Sequence, residues 1–237
     1  MKKISISIFS ILFALVLTST KLSAGSIGLG VSGSYMSIEA DGKETSGTTG
    51  SETDTSTNTK AVDNNVIIAG IYAEYVLDNG FAIGIESVPG SADVSDRVLT
   101  RQDTVLSKTG TDTTTGVTRN FKANAEVEDY FNYYIEVPLF SENLFAKVGY
   151  TEIDVNTNEV ASENGGNYGN ATLDGFMYGI GYKTKPTDST KIKFAYEATD
   201  FDTLSLTSSG NSVASETNKI TADLDTWAVK VSFGFEF

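Results

Sequence analysis

The sequence predicts an all-β fold: an eight-stranded antiparallel up-and-down transmembrane β-barrel with short turns at one end and long loops at the other. Three observations carry that prediction. Residues 227–237 alternate without a break, with Trp227, Val229, Val231, Phe233, Phe235 and Phe237 set against Ala228, Lys230, Ser232, Gly234 and Glu236. A period of two marks a strand with one apolar and one polar face. The same period recurs in seven segments upstream, and long and short connections alternate between the segments.

The chain opens with Lys2 and Lys3, an apolar-rich run over residues 4–17, and the small-residue ending Leu22-Ser23-Ala24. This order describes a secretory signal peptide cleaved after Ala24. About 14 apolar-rich residues fall short of the roughly 20 that a helical span requires. Residues 1–24 are therefore expected to be the signal, and 25–237 the barrel domain.

The strands follow in order. Ile27, Leu29, Val31 and Tyr35 alternate with Gly28, Gly30, Ser32 and Ser34; Ile67, Ala69, Ile71, Ala73 and Tyr75 with Gly70, Tyr72 and Glu74. Phe81, Ile83 and Ile85 oppose Ala82, Gly84 and Glu86; Val127, Phe131, Tyr133, Ile135 and Val137 oppose Glu128, Tyr130, Asn132, Tyr134 and Glu136. Leu144, Ala146, Val148 and Tyr150 alternate with Phe145, Lys147 and Gly149. Phe176, Tyr178, Ile180 and Tyr182 face away from Met177, Gly179, Gly181 and Lys183; Ile192, Phe194, Tyr196 and Ala198 from Lys193, Ala195 and Glu197. Tight turns are expected at 77–80, 141–143 and 184–188, and Thr-, Ser- and acid-rich loops roughly over 40–65, 88–122, 155–172 and 202–220. Membrane barrels keep short turns on the periplasmic side and long loops outside.

A Lys or Arg on the lipid face at mid-membrane costs about 2–4 kcal/mol, so the nearly charge-free faces point outward. The opposite faces carry Glu74, Glu86, Glu128, Glu136, Lys147, Lys183, Lys193, Glu197, Lys230 and Glu236, which are expected to form a charge network in the lumen. Long side chains from opposite walls would bridge an eight-stranded interior, which is just wide enough for side chains to fill. Cutting back Lys183 and Lys193 should then widen it. Leu139 opposite Leu144 would set Glu136 against Lys147 and Asn132 against Thr151. Aromatic belts are expected from Tyr75, Phe81, Tyr182, Phe235 and Phe237 at one rim and Tyr35, Tyr150, Phe176 and Trp227 at the other.

Composition narrows the functions. Removing residues 1–24 takes three lysines and no acid from 17 basic and 31 acidic side chains, leaving a net charge of −17. Nucleic acid is excluded as a natural partner, since phosphate recognition needs a basic footprint. Cysteine and histidine are both absent, which removes the usual transition-metal ligands and the commonest general base. No enzyme activity, metal or cofactor is expected. Gly28-Leu29-Gly30-Val31-Ser32-Gly33 matches a dinucleotide fingerprint by letter, but that motif needs a strand before it and a helix after it. Here it reads as small residues on a crowded strand face. Gly175 and Gly179 lie in no apolar 20-mer, so helix dimerisation is not implied. The acidic loops lack the oxygen-ligand spacing of an EF-hand.

Signal peptide, eight strands, loop asymmetry and the terminal amphipathic strand together resemble the small outer-membrane barrels: the OmpA transmembrane domain, OmpX, OmpW and the opacity-protein or porin-like group. The segment Tyr133-Tyr134-Ile135-Glu136-Val137-Pro138-Leu139, followed by Phe145-Ala146-Lys147-Val148-Gly149-Tyr150, is similar to that group's central hairpin. The ending at Trp227, Val229, Val231, Phe233, Phe235 and Phe237 resembles their assembly signal. The resemblance implies an outer-membrane lipid bilayer, barrel-assembly machinery and periplasmic chaperones as partners, and a monomer. No anchoring periplasmic domain is expected beyond Phe237. Barrel enzymes of that membrane use a histidine this chain lacks. Three functions remain: a structural or poorly conducting porin-like barrel, a surface scaffold binding through its loops, and passive passage of small solutes. An OmpW-like apolar lumen is disfavoured because the inward residues read as polar or glycine. A lipocalin-like periplasmic barrel would instead turn its apolar faces inward.

Overall fold

A computed structural model describes residues 25–45, 57–97, 99–109, 112–160, 167–209 and 218–237. The signal peptide expected at 1–24 lies outside them. The described residues form ten strands: β1 Ser26–Thr45, β2 Thr57–Val76, β3 Ala82–Asp93, β4 Leu99–Thr109, β5 Asp112–Leu139, β6 Leu144–Val160, β7 Ala171–Thr187, β8 Thr190–Phe201, β9 Leu204–Thr207 and β10 Lys219–Glu236. Eight of them make the wall in the order β1-β2-β3-β5-β6-β7-β8-β10, and β10 pairs back onto β1 to close the ring. Every pairing is antiparallel, and the closing ladder runs from Gly28 opposite Glu236 to Thr45 opposite Lys219. Among the described residues, the short β4 and β9 pair only with β5 and β10, respectively, at the long-loop end.

Closure gives each strand an inner and an outer face. Ile27, Val31, Tyr178, Phe194, Val229 and Phe233 are exposed on the outside, a continuous apolar band that suits lipid. Aromatic rings border it, with Trp227 6.0 Å from Tyr35 and 6.2 Å from Tyr196 at the long-loop side. Small residues inside make room for large ones. A Cβ on Gly84 would collide with the Tyr134 ring, and one on Gly30 or Gly234 with Tyr72. Gly28 lies under Glu74 in the same way, so Gly28 and Gly30 of the fingerprint-like run serve packing, whereas a Cβ on Gly33 would meet open space.

Two expectations need correcting. The segments 40–65, 88–122, 155–172 and 202–220 are in large part strand: β1 runs on to Thr45, β2 begins at Thr57, and β5 begins at Asp112. Their Thr and Val content suits a ladder even where both faces meet water, and a pattern without apolar alternation conceals it. The turn expected at 184–188 is tighter, because β7 reaches Thr187 through a register shift after Thr184. At the other turns, Gly80 takes φ +84° and Phe140 φ +39°.

The interior also differs from the polar lumen expected. Toward the long-loop end it is filled by Met36, Ile38, Val94, Ile153, Val155, Leu173, Phe201, Leu204, Leu224 and Ala228, all buried together. All but Ala228 lie beyond the alternating segments that mark the membrane-crossing strands.

The wall is uneven between β2 and β3. Their ladder runs only from Val76 opposite Ala82 to Ile71 opposite Ser87, although β2 continues to pair with β1 as far as Thr57. The cause is local. β3 is bulged between Val88 and Ser91, where Pro89 brings no N–H and Gly90 sits at φ +105°. β5 is bulged beside it, between Glu128 and Phe131, with Asp129 at φ +53°. Paired bulges bend a hairpin and increase its twist, which turns β3 and β5 away from β2.

Candidate functional site

The charged residues converge in the half of the interior nearer the short turns, in two layers. In the layer nearer those turns, Lys193 on β8 meets Glu74 at 2.6 Å and Glu136 at 2.7 Å. Lys191 joins Glu74 at 3.0 Å to Glu236 at 2.8 Å, and Lys185 caps Glu236 at 2.7 Å. The other layer is a closed square. Lys147 and Lys230 each touch both Glu86 and Glu197, at 2.7 Å in three contacts and 3.5 Å between Lys147 and Glu86. Ser32 donates a further 2.6 Å hydrogen bond to Glu86.

Aromatic rings tie the layers together. The Tyr134 hydroxyl donates to Glu74 at 3.0 Å, while the Lys147 ammonium stands 4.0 Å over its ring. Lys193 stands 4.6 Å over Tyr72. Such contacts are strengthened by desolvation, and these side chains are all buried. The hollow left among Tyr72, Tyr134, Phe145 and the two layers measures only about 10 Å³, about the least that one water can occupy. Chemically the arrangement neutralises charge. Each ammonium in the layers is held by carboxylates.

The structure gathers Glu74, Glu86, Glu136, Lys147, Lys193, Glu197, Lys230 and Glu236 in these layers. Glu128 is not among them; it sits at the β5 bulge and accepts a hydrogen bond from Asn156. Lys183 is buried but joins no ion pair among the described residues, donating instead to the Gly80 carbonyl at 3.1 Å. Lys191 was missed, although it shares the parity of Lys193 one step back along β8. Leu139 does face Leu144, Glu136 faces Lys147 and Asn132 faces Thr151. Lys147 nevertheless reaches past Glu136 to carboxylates on β3 and β8. On the outer surface, Trp227, Val229, Val231, Phe233 and Phe235 line β10, and Phe237 exchanges backbone hydrogen bonds with Ile27 at 2.9 and 3.1 Å.

A second charged zone lies outside, just beyond Trp227. Glu39 stands opposite both Asp63 and Asp225, Asp41 opposite Asp223, and Asp225 opposite Asp200. Like charges directly opposed in a ladder repel. A hydrogen bond with Asp200, then partial burial and the charges of Asp200, Asp223 and Glu39, push the Asp225 carboxyl up to about 6. This acidic collar marks the edge of the apolar band.

The fold and interior define a membrane-spanning up-and-down barrel with an occluded lumen. No family model matches the chain, and a comparison with curated proteins finds no match either. Among solved structures it is similar to the outer membrane protein OprG of Pseudomonas aeruginosa at 14% identity and TM-score 0.47, covering 90% of this chain and 96% of that one. It is similar to the outer membrane protease OmpT of Escherichia coli at 7% identity and TM-score 0.48, covering 92% and 99%. The attachment invasion locus protein Ail of Yersinia pestis matches at 13% identity and TM-score 0.38, covering 87% and 99%.

Proposed function

We propose that this chain is an integral outer-membrane barrel, exported by residues 1–24, whose lumen is closed and which passes small solutes poorly or not at all. The observation that carries the reading is the occlusion: two ion-paired layers with a hollow of about 10 Å³, followed by the apolar core. The short turns would face the periplasm and the acidic, Thr-rich end the exterior. Carboxylate-bound ammonium groups support a non-enzymatic role. Purified protein in a planar bilayer should give no steady conductance, and steady open channels from the monomer would defeat the reading.

A second reading, a surface scaffold, is favoured by strand length. β5 runs 28 residues where about 9–11 would cross a bilayer, so the wall rises well above the apolar band. Intact cells expressing the protein should then acquire a binding partner that cells lacking it do not.

A further inference from the structure

The seam between β2 and β3 has the properties of a strand-binding site. Among the described residues, no strand pairs with the outer edge of β2 over 57–70, nor with the edge of β3 that faces it from Val88 onward. Two free edges therefore stand opposite each other above a closed floor. At the floor, a Cβ on Gly70 would lie 3.0 Å from the Ser87 carbonyl and from Val88, so the strands still touch. Higher up, the link is a side chain: Asn64 Nδ2 donates to the Asp93 carbonyl at 2.7 Å, where a ladder would place backbone against backbone. An added strand has to displace this side-chain link.

Exposed edges template further strands. Natural proteins blunt them with bulges, charges or cover, and recognition domains use them for β-strand addition. Here the bulges at Pro89-Gly90 and Asp129 create the opening. Behind it, Val62, Val66, Ile68 and Val94 belong to the apolar core and its margin, so an added strand would extend the wall without entering the lumen. The lower edge, residues 67–70, reaches the apolar band, where unpaired backbone groups are most costly.

We propose that this seam captures an extended, lysine- or arginine-bearing segment of a partner protein as an additional strand between β2 and β3. The proposal rests on the surface-scaffold reading for its placement outside the cell. Charge selects the occupant. Asp63 on β2 and Asp93 and Glu126 on the β3–β5 pair flank the seam, and Asp96 already holds Arg97 at 3.1 Å. Lys60 is the basic residue left on the β2 rim. A second copy of this acidic chain would be repelled.

The test uses the full chain in phospholipid vesicles and a synthetic decapeptide of alternating Lys and Val as probe. Amide exchange over residues 57–70 should slow at least tenfold with the peptide, and a peptide N-methylated at alternate amides should have no such effect. Equal protection by the N-methylated peptide would reduce the interaction to charge and overturn the proposal. So would edge amides in the free protein already as protected as those of β1, because the edge would then be covered. Dimerisation through the seam, read by cross-linking at Asn65→Cys, would also overturn it in favour of a second copy. Surface placement is read separately: an Asn65→Cys variant unreactive to an impermeant thiol reagent on intact cells defeats the scaffold reading, whatever the purified protein binds.

Discussion

At the residue scale, parity along a strand tells which side chains face inward but not whom they meet. Glu74, Glu86, Glu136 and Glu197 were legible as inward charges because each alternates with an apolar neighbour. Their partners were not, because a lysine crosses the lumen to other strands and the stagger between strands sets the height at which it arrives. Removing one member of a buried, hydrogen-bonded pair typically costs about 3–5 kcal/mol. Lys230→Ala should cost that much in urea unfolding from vesicles, and Glu86→Ala combined with it should add far less than its own single effect. The Glu136/Lys147 pair, adjacent in register but bonded elsewhere, should show a coupling near zero in the same double-mutant cycle. Asp225 gives a pH signature. Its raised folded-state pKa means that the folded protein binds more protons than the unfolded chain between about pH 4 and 6. Its contribution to stability is therefore present below that window and is lost as pH rises through about 6. Asp225→Asn should flatten that part of the pH profile and raise stability at pH 7.5 by about 0.2–1 kcal/mol, the scale of a relieved cross-strand repulsion. Thermal unfolding at pH 4.5 and 7.5 reads both.

At the element scale, the alternation located all eight wall strands where one face meets lipid. It lost them where both faces turn polar or the inner face turns apolar. Ile153, Val155 and Leu173 kept the inward parity of their strands, yet they lie in stretches dominated by Asn, Thr and Asp. The bulges left a fainter trace. Pro89-Gly90 is the only Pro-Gly pair in the chain, and its consequence, a ladder ending at Ile71 opposite Ser87, depends on pairing that no single segment displays. Gly90→Val should cost about 1–3 kcal/mol, since φ +105° is strained for a β-branched residue. The same change should slow amide exchange on β2 over residues 57–70 if the relaxed bulge lets β3 return to the ladder. Unchanged exchange there would show that the Asp129 bulge suffices to hold the seam open.

At the scale of the whole molecule, the interior has two barriers of opposite chemistry. On the closed-lumen reading, the charge layers repel nothing while paired, and the apolar core beyond them would exclude ions by refusing to hydrate them. Removing Lys183 and Lys193, which the sequence alone suggested would open the pore, leaves the apolar core in place. The Lys183→Ala/Lys193→Ala variant should therefore be less stable yet as silent in a planar bilayer as the unmodified chain. Ion flow should require a polar change in the core as well, such as Leu224→Asn added to that pair. Channels from the lysine changes alone would show that the core admits water.

The layers also bear on how the molecule is made. Glu74, Glu86 and Glu136 come from β2, β3 and β5, whereas every lysine they meet comes from β6 or later. The ring itself joins Gly28 to Glu236, among the most distant contacts a chain of this length can make. Contacts so remote in sequence form late. Until they do, the early hairpins carry a surplus of negative charge at the layer positions and the late ones a surplus of positive charge there, each unsuited to a hydrocarbon environment. A half-built barrel is thus polar on the side that will become its inside and stays wet. Water leaves only when the two halves meet, so electrostatic neutralisation, drying and ring closure should occur as one event, and the chain should have no stable, partly inserted form.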